Sequence, residues 1–399
     1  LGDVYKRQDV PAKIAENQPQ ELTKKDDNHY NLVDVYNGTV TVEQFVAQLN
    51  DSELTSIVQG EGMSPANVTP GVASAFGGVN TKTEDGKTTT LTELYGIPRA
   101  CTSDGPSGIR QTAKATSIPG GASIACTWNL DLIEKMMTLE GQEMVMNNID
   151  SLLGPGINIH RNPLNGRNFE YYSEDPLVTG RVAAAYAKGI QKSGATVTIK
   201  HFAANNQETN RHYDDSRVSE RALREIYLKG FEIAVKEAKV RSVMTSYNPI
   251  NGLWSASNYD MVTDILHKEW GFDGIVMTDW WARMNKNIGD ASTTSSGTQY
   301  LGSMVKAQND LYMVTPDSST DSAANTSTRI VMGDVTRAEL QRCAVNICNF
   351  LLKSQAFARL NNLEFKPYSE TGDNWFNVEK SQFGMPKLKS IEVGGRTIT

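Results

Sequence analysis

Polar side chains that could do chemistry stand at the ends of several short apolar runs of this sequence. The five positions are Ser103–Asp104, His160–Arg161, Lys200–His201, Tyr247–Asn248 and Asp279–Trp280. In a barrel of parallel strands, the carboxyl ends of the strands meet at one mouth, where active sites are built. We therefore expect these side chains to lie together, although they are far apart in the sequence.

Asp279 is the strongest candidate for a reacting group. The apolar run Gly274–Met277 leads to this carboxylate, and Trp280 and Trp281 follow it. Aromatic faces pack on the apolar C–H face of a pyranose ring, and a carboxylate can attack or stabilise the anomeric carbon. The structural alternative is an Asp that caps the next helix. The combination favours a sugar site.

The other polar positions suit recognition of sugar hydroxyls, and each has a structural alternative. Lys200 and His201 place a cation beside a polar ring at the end of a strand. Arg167 lies in a loop and could either contact a ligand or pair with Glu170. Asp104 lies in an Asp-Gly-Pro sequence typical of turns, but its carboxylate could also accept two hydroxyls at once.

Short apolar runs alternate with amphipathic stretches along most of the chain. The predicted strands are Arg99–Thr102, Ser123–Thr127, Leu152–Ile159, Thr196–His201, Arg241–Tyr247, Gly274–Asp279 and Asp310–Val314. Strands that alternate with helices indicate an α/β fold, and this number suits a TIM-like (β/α)8 barrel, irregular in its first strands and helices. We predict a linker or truncated tail at 1–35, the barrel at 36–365, and a C-terminal tail at 366–399. A long loop is expected over Gly60–Thr90.

Helix signals support this alternation. Capping boxes begin at Thr41 and Thr336, and Asp51 is expected to start a short helix. Apolar stripes with helical spacing comprise Leu130, Ile133, Met137 and Met144, then Leu223, Ile226, Tyr227, Ala234 and Val235, and finally Leu340, Cys343, Ile347 and Leu351.

The composition excludes several functions. Of the 399 residues 39% are hydrophobic and 21% charged, with a formal net charge of −7. Without a Lys/Arg run, neither nucleic acid nor a membrane surface is an expected partner. The four cysteines have no metal-ligand or disulfide-framework spacing and are predicted to be small buried residues; no metal or cofactor is implied. The chain shows no secretion signal, which predicts a cytoplasmic location.

Five segments resemble the barrel domain of glycoside hydrolase family three. They are SDGPSGIR, GPGINIHRNPLNGRNFEYYSEDP, IKHFAANNQETNR, MTSYNPINGLWSASN and GFDGIVMTDWW, in the family's order over roughly residues 98–315. The segment DVYNGTVTVEQFVAQLNDSELTSIVQGEGM is similar to the barrel start of members in which the α/β-sandwich domain precedes the barrel.

The resemblance implies a role for individual residues. Asp279 corresponds to the nucleophile that forms a covalent glycosyl-enzyme. The residues implied to grip the hydroxyls of the sugar are Asp104, Arg167, Lys200, His201 and Tyr247, with Arg211 as a further contact. Met244 and Trp280 correspond to apolar walls of the same subsite.

The second carboxyl group of the reaction is missing from this pattern. Retaining hydrolysis needs two carboxyl groups about 5 Å apart. In glucosidase-type members of the family the acid is a Glu of the sandwich domain, for which this chain has no room. The β-N-acetylglucosaminidase branch uses a His–Asp pair after KHF, where this chain has Ala203–Glu208. Glu208 and Glu174 are the nearby carboxyl groups, and Glu208 is interpreted as a loop brace.

The sequence thus predicts a retaining β-glycosidase barrel that acts on terminal β-D-glucosides or xylosides through a glycosyl-aspartate. The acid/base Glu is expected on an absent α/β-sandwich domain, and the partner is a small carbohydrate. The main alternative is a non-catalytic carbohydrate-binding barrel or an inactive fragment. An aldolase that uses Lys200 as a Schiff base is a third hypothesis.

Overall fold

The computed structural model describes residues 9–291, 296–298, 300–320 and 335–364, and the backbone of 391–393 and 396–398. Most of the predicted tail at 366–399 lies outside the described residues. Within it, Ile391–Val393 pairs antiparallel with Arg396–Ile398. The predicted domain boundaries stay a prediction.

Eight short strands form a closed barrel. In chain order they are β1 Gln59–Glu61, β2 Ser74–Gly77, β3 Arg99–Asp104, β4 Ser151–Leu153, β5 Thr196–Phe202, β6 Ser242–Thr245, β7 Ile275–Met277 and β8 Tyr312–Thr315. Neighbours pair in the order β7-β6-β5-β4-β3-β2-β1-β8, and a parallel bridge between Met277 and Leu311 joins β7 to the start of β8. The predicted TIM-like barrel is therefore confirmed.

The irregularity lies in β2, which runs antiparallel to both of its neighbours, β1 and β3. The expectation of a long loop over Gly60–Thr90 is wrong. That stretch contains the end of β1, all of β2, and a hairpin of Asn80–Lys82 with Thr88–Thr90. These strands are short and consist mostly of polar residues and glycine, so no apolar run marks them in the sequence.

Six of the seven predicted strands correspond to β3 through β8, with ends within two residues except for Leu152–Ile159, which extends six residues beyond the end of β4 at Leu153. The remaining predicted strand, Ser123–Thr127, is wrong because Gly121–Ala125 is a short helix. A short apolar run has the same composition in a buried strand and in a buried helical turn. Gly121 packs so closely on the later loop that contains Glu170 that a Cβ would lie 2.2 Å from the carbonyl oxygen of Glu170.

Helices surround the barrel. The described α-helices of five or more residues are Val10–Glu16, Leu32–Tyr36, Val42–Val46, Asp51–Ile57, Leu91–Tyr95, Gly121–Ala125, Leu130–Met146, Pro176–Lys192, Lys229–Ala238, Leu301–Lys306, Arg337–Leu352 and Gln355–Leu360. Leu223–Tyr227 and Asp260–Glu269 have the wider turns of a π-helix. The capping boxes at Thr41 and Thr336 and the helix start at Asp51 are confirmed. Of the predicted stripes, Leu130 and Ile226 are exposed.

The N-terminal segment is more ordered than predicted. A linker or tail is expected before residue 36, but Val10–Glu16 and Leu32–Tyr36 are helices. The ammonium group of Lys13 lies 2.7 Å from a carboxylate oxygen of Asp260 and 2.6 Å from one of Asp264. These contacts to one distant helix hold the segment on the barrel, and no pattern within the segment itself reveals them.

Successive residues of the barrel strands enter two separate apolar clusters. Met244 belongs to the cluster that contains Tyr247 and Trp280, whereas its neighbour Val243 packs with the helices Leu130–Met146 and Pro176–Lys192. This is the two-residue alternation of a strand. Because of this alternation, the side chain of Met244 lies on the same face of β6 as the cluster that contains Tyr247 and Trp280.

Cys101, Cys343 and Cys348 are buried as predicted, but Cys126 is exposed because it ends the short helix that replaces the predicted strand. All four are free thiols. Among the helices that the structure describes, none has the length and apolar character required to span a membrane.

Candidate active site

Asp279 lies two residues beyond β7 at the carboxyl end of the barrel and is 7% exposed. Its Oδ1 accepts a hydrogen bond from the backbone N–H of Trp280 at 2.7 Å. Burial raises the pKa of this carboxyl group above its usual value, while the charges of Arg167 and Lys200 and the hydroxyl of Tyr247 oppose that rise. The site thus surrounds one buried carboxylate with cationic and hydroxyl donors.

The ring of His201 lies beside this carboxylate, with 3.5 Å between Nε2 and Oδ2 of Asp279. It lies within β5 and is 1% exposed. Burial lowers the pKa of the imidazole well below 6.5, and the charges of Arg167, Lys200 and Arg211 lower it further. The ring is therefore neutral at ordinary pH, so it forms hydrogen bonds and does not pair as a cation.

Tyr247 and Arg211 form the next part of the wall. The hydroxyl of Tyr247 interacts with Asp279, and the guanidinium of Arg211 stacks 4.4 Å from the centre of the Tyr247 ring. Arg211 also pairs with Glu208 at 2.7 Å. The ring of His212 lies against Tyr247 as well, with 4.4 Å between the ring centres. These contacts fix the ring plane and the direction of the hydroxyl.

Lys200 and Asp104 link β5 to β3. The ammonium nitrogen lies 3.6 Å from Oδ1 of Asp104, and the Lys200 side chain is buried while that of Asp104 is half-exposed. A half-exposed carboxylate beside a buried cation can accept hydrogen bonds from the hydroxyls of a ligand while the cation balances its charge. Arg167 pairs at 2.7 Å with Glu170, so the loop-bracing interpretation of this pair is confirmed. Arg167 also acts electrostatically on Asp279 and His201.

The predicted apolar walls lie beside these groups. Met244 is 1% exposed and Trp280 is 9% exposed, and both pack in the cluster that contains Tyr247. The indole N–H of Trp280 is buried and has no partner among the described residues. The neighbouring Trp281 is 52% exposed. All nine residues singled out from the sequence therefore belong to one connected region, although their roles stay predictions.

Sequence reasoning missed a layer of buried residues behind the site. The hydroxyl of Tyr171 lies 3.1 Å from Nδ1 of His201, and Asn205 donates to that hydroxyl at 3.0 Å. The backbone N–H of His201 donates to Asn158 at 2.9 Å, and the amide of Asn158 donates back to the His201 carbonyl. The available signal was weak: Asn158 lies between two isoleucines, whereas Tyr171 and Asn205 lie in polar loop segments.

None of the carboxyl groups weighed from the sequence offers a free proton donor beside Asp279. Glu208 accepts hydrogen bonds on both oxygens, from Asn205 at 3.0 Å and from Arg211 at 2.7 Å. Glu170 is occupied by Arg167, and Glu174 is exposed. The interpretation of Glu208 as a brace agrees with these contacts. In the described part of the chain, no group of three or more His, Cys, Asp and Glu side chains is arranged to hold a metal ion.

Comparison with known proteins places this geometry in a family. The model of the glycosyl hydrolase family 3 N-terminal domain matches residues 42–350. A β-glucosidase of Ruminococcus albus is 52% identical over 343 residues, which are 86% of this chain and 35% of the relative. An exo-α-(1→6)-L-arabinopyranosidase of Bifidobacterium longum is 40% identical over 286 residues, which are 68% of this chain and 35% of the relative.

Solved structures agree. A β-glucosidase from Paenibacillus barengoltzii is 52% identical with a TM-score of 0.83, and the match covers 90% of this chain and 38% of that one. β-Glucosidase 3B from Thermotoga neapolitana, solved in complex with α-D-glucose, is 35% identical with a TM-score of 0.69 over 84% of this chain and 45% of that one. The chain thus spans less than half the length of these relatives. It belongs to glycosyl hydrolase family 3, and the barrel lies within residues 42–350, which match the model of that family's N-terminal domain.

Proposed function

We propose that this chain is the sugar-binding barrel of a retaining β-glucosidase and that Asp279 is its nucleophile. One observation carries the proposal: a buried carboxylate at the carboxyl end of β7 is surrounded by the donors His201 and Tyr247 and by the charges of Arg167 and Lys200. This arrangement can hold a pyranose by its hydroxyls while its anomeric carbon faces Asp279.

The reaction would proceed in two steps at this carboxylate. Asp279 attacks the anomeric carbon, the bond to the leaving group breaks, and a glycosyl-aspartate forms. Water then attacks the same carbon and gives a proton to the acid/base group, the bond to Asp279 breaks, and the carboxylate is restored. Arg167 and Lys200 favour the ionised form of Asp279 that the first step needs, because they oppose the rise in its pKa caused by burial.

The proton that an ordinary leaving group requires would come from outside this chain. Glu208 and Glu170 are engaged by Arg211 and Arg167, respectively. Since the chain spans 35% of the length of the R. albus relative, we place the acid/base Glu on a second, α/β-sandwich domain. A terminal β-D-glucoside is the proposed substrate, because relatives are named β-glucosidases.

The test is a comparison of two leaving groups. Dinitrophenolate leaves without protonation, so a dinitrophenyl β-glucoside should release about one equivalent of dinitrophenolate per chain in a rapid burst. Cellobiose, whose leaving group needs an acid, should not be turned over. The Asp279→Asn variant should give no burst. Sustained hydrolysis of cellobiose would contradict the placement of the acid outside the chain.

The alternative is a barrel that binds a sugar without reaction. It predicts that glucose binds by calorimetry while the dinitrophenyl glucoside gives no burst. A chain that neither binds glucose nor shows a burst would be an inactive fragment whose subsite needs the remainder of the protein.

A further inference from the structure

A continuous set of hydrogen bonds runs behind the candidate site, from Glu208 to His201. Oε1 of Glu208 accepts from the amide nitrogen of Asn205 at 3.0 Å. The same nitrogen donates to the Tyr171 hydroxyl at 3.0 Å, which lies 3.1 Å from Nδ1 of His201. The chain of contacts ends where Nε2 of His201 faces Asp279 across 3.5 Å.

The carboxylate of Glu208 determines which group donates and which accepts in each of these hydrogen bonds. Glu208 also accepts from Arg211, so it acts as an acceptor on both oxygens. Asn205 must therefore present its NH₂ group to Oε1, because an amide oxygen placed there would repel the carboxylate. That orientation leaves the amide oxygen of Asn205 buried with no donor among the described residues, a cost that the contact with Glu208 outweighs.

The second hydrogen of the Asn205 NH₂ group then determines the role of Tyr171. A hydroxyl has one hydrogen and can accept from others. Since Tyr171 accepts from Asn205, its own hydrogen is free to be donated, and Nδ1 of His201 is the acceptor within reach. Tyr171 is fully buried, so a hydroxyl hydrogen without an acceptor would be costly.

A competing acceptor for a hydrogen on Nδ1 exists but is poorly placed. Oδ1 of Asn158 lies 3.4 Å from Nδ1 and already accepts the backbone N–H of His201 at 2.9 Å. A proton on Nδ1 would make this long contact and would leave the Tyr171 hydrogen unpaired. The arrangement therefore favours a lone pair on Nδ1 and a hydrogen on Nε2.

We propose that Glu208 and Tyr171 are positioning residues that fix the tautomer of His201, so that Nε2–H points into the site between Asp279 and a bound sugar. This inference rests on the proposed function for the role of the sugar. Glu208 also supports Tyr247, because its other oxygen pairs with Arg211, which stacks on the Tyr247 ring. One carboxylate thus supports both His201 and Tyr247, which each interact with Asp279.

The Glu208→Gln variant tests the proton order most sharply. If the oxygen of the introduced amide turns to Arg211, the NH₂ group of that amide faces Asn205, and Asn205 must then present its own oxygen. Tyr171 would donate to Asn205 and accept from His201, so the proton would move from Nε2 to Nδ1. The Tyr171→Phe variant removes the link and should leave a mixture of the two tautomers.

The measurement is nitrogen NMR of the chain labelled with ¹⁵N-histidine, which distinguishes protonated from unprotonated ring nitrogens. The chain has five histidines, and a His201→Gln spectrum identifies the signals of His201. Matched controls are Tyr172→Phe, a buried neighbour of Tyr171, and Glu232→Gln, whose carboxylate pairs with Lys229 and Lys236 outside the site. Both controls should keep the wild-type tautomer.

A proton on Nε2 in the wild type, reversed in Glu208→Gln, is the expected result. The reversal should accompany a fall of roughly tenfold in glucose affinity, the usual effect of losing one hydrogen bond. A proton on Nδ1 in the wild type, or an unchanged tautomer in Glu208→Gln, would overturn the inference. If the Tyr171→Phe variant does not fold, the tautomer of His201 in Glu208→Gln tests the inference by itself. The tautomer is read without any reaction at Asp279, so a wild type with Nε2–H but no burst would refute only the proposed function.

Discussion

Gly121 is the position where a single methyl group should disturb the site from behind. A Cβ at this residue would lie 2.2 Å from the carbonyl oxygen of Glu170 and 3.1 Å from that of Tyr171. To reach even 3.0 Å, the backbone of residue 170 must move by at least about 0.8 Å. That segment carries the partner of Arg167 and the hydroxyl that contacts His201.

We therefore predict that Gly121→Ala lowers the free energy of unfolding by about 1–3 kcal/mol, as overpacking usually does. Displacement of positioning groups by about 1 Å can cost on the order of 100-fold in rate, so the dinitrophenyl glucoside burst should slow by roughly 10- to 100-fold. Urea unfolding followed by circular dichroism measures the first effect, and stopped-flow absorbance measures the second.

The matched control is Gly166→Ala in the Arg167 loop, where the nearest contact of a Cβ would be Cγ of Glu208 at 3.8 Å. This ordinary contact should leave stability and burst rate near those of the wild type. Equal behaviour of Gly121→Ala and Gly166→Ala would refute the claim that the short helix Gly121–Ala125 supports the site through its contact with residue 170.

Three further predictions concern charged groups. Arg167→Gln should raise the pKa of Asp279, because the Arg167 charge lowers it; the pH at which the burst rate is half-maximal should rise, and an unchanged acid limb would contradict the electrostatic role. Burial raises the pKa of Glu140 to about 8, so the folded state keeps a proton that the unfolded state has lost, and the contribution of Glu140 to stability should fall from about pH 4.5 to 8 with a slope of about 1.4 kcal/mol per pH unit. Glu140→Gln should remove this slope, whereas parallel urea-unfolding profiles would refute the assignment. Burial lowers the pKa of Lys13, but Asp260 and Asp264 raise it above 10.5 overall; Lys13→Met should therefore cost up to about 1 kcal/mol near neutral pH, and the difference should disappear above pH 10.5, which thermal unfolding measures.

The barrel could be predicted from the sequence because β3 to β8 are long or apolar enough to stand out between amphipathic helices. β1 and β2 could not be predicted, since Gln59–Glu61 contains no apolar side chain and Ser74–Gly77 contains only two, so no apolar run marks them. The prediction of a strand at Ser123–Thr127 failed because the close contact at Gly121 depends on a loop about 50 residues away. Such tertiary constraints leave no local pattern.

The candidate site was predicted unevenly for a similar reason. Residues such as Asp279 and His201 end or follow apolar strands, where a polar side chain is conspicuous. Tyr171 and Asn205 lie in polar loop segments and acquire their importance from burial, which the sequence does not display. The position of Lys13 against Asp260 and Asp264 likewise depends on contacts across about 250 residues of chain.

The most direct test of the central claim is the mass of the intact chain after incubation with a 2-deoxy-2-fluoro-β-glucoside that carries a dinitrophenyl leaving group. The fluorine slows breakdown of the intermediate, and the leaving group needs no acid. We predict a mass increase of one fluorosugar, mapped by peptide sequencing to Asp279 and absent from Asp279→Asn. A label on another residue, or no label on a chain that binds glucose, would contradict Asp279 as the nucleophile.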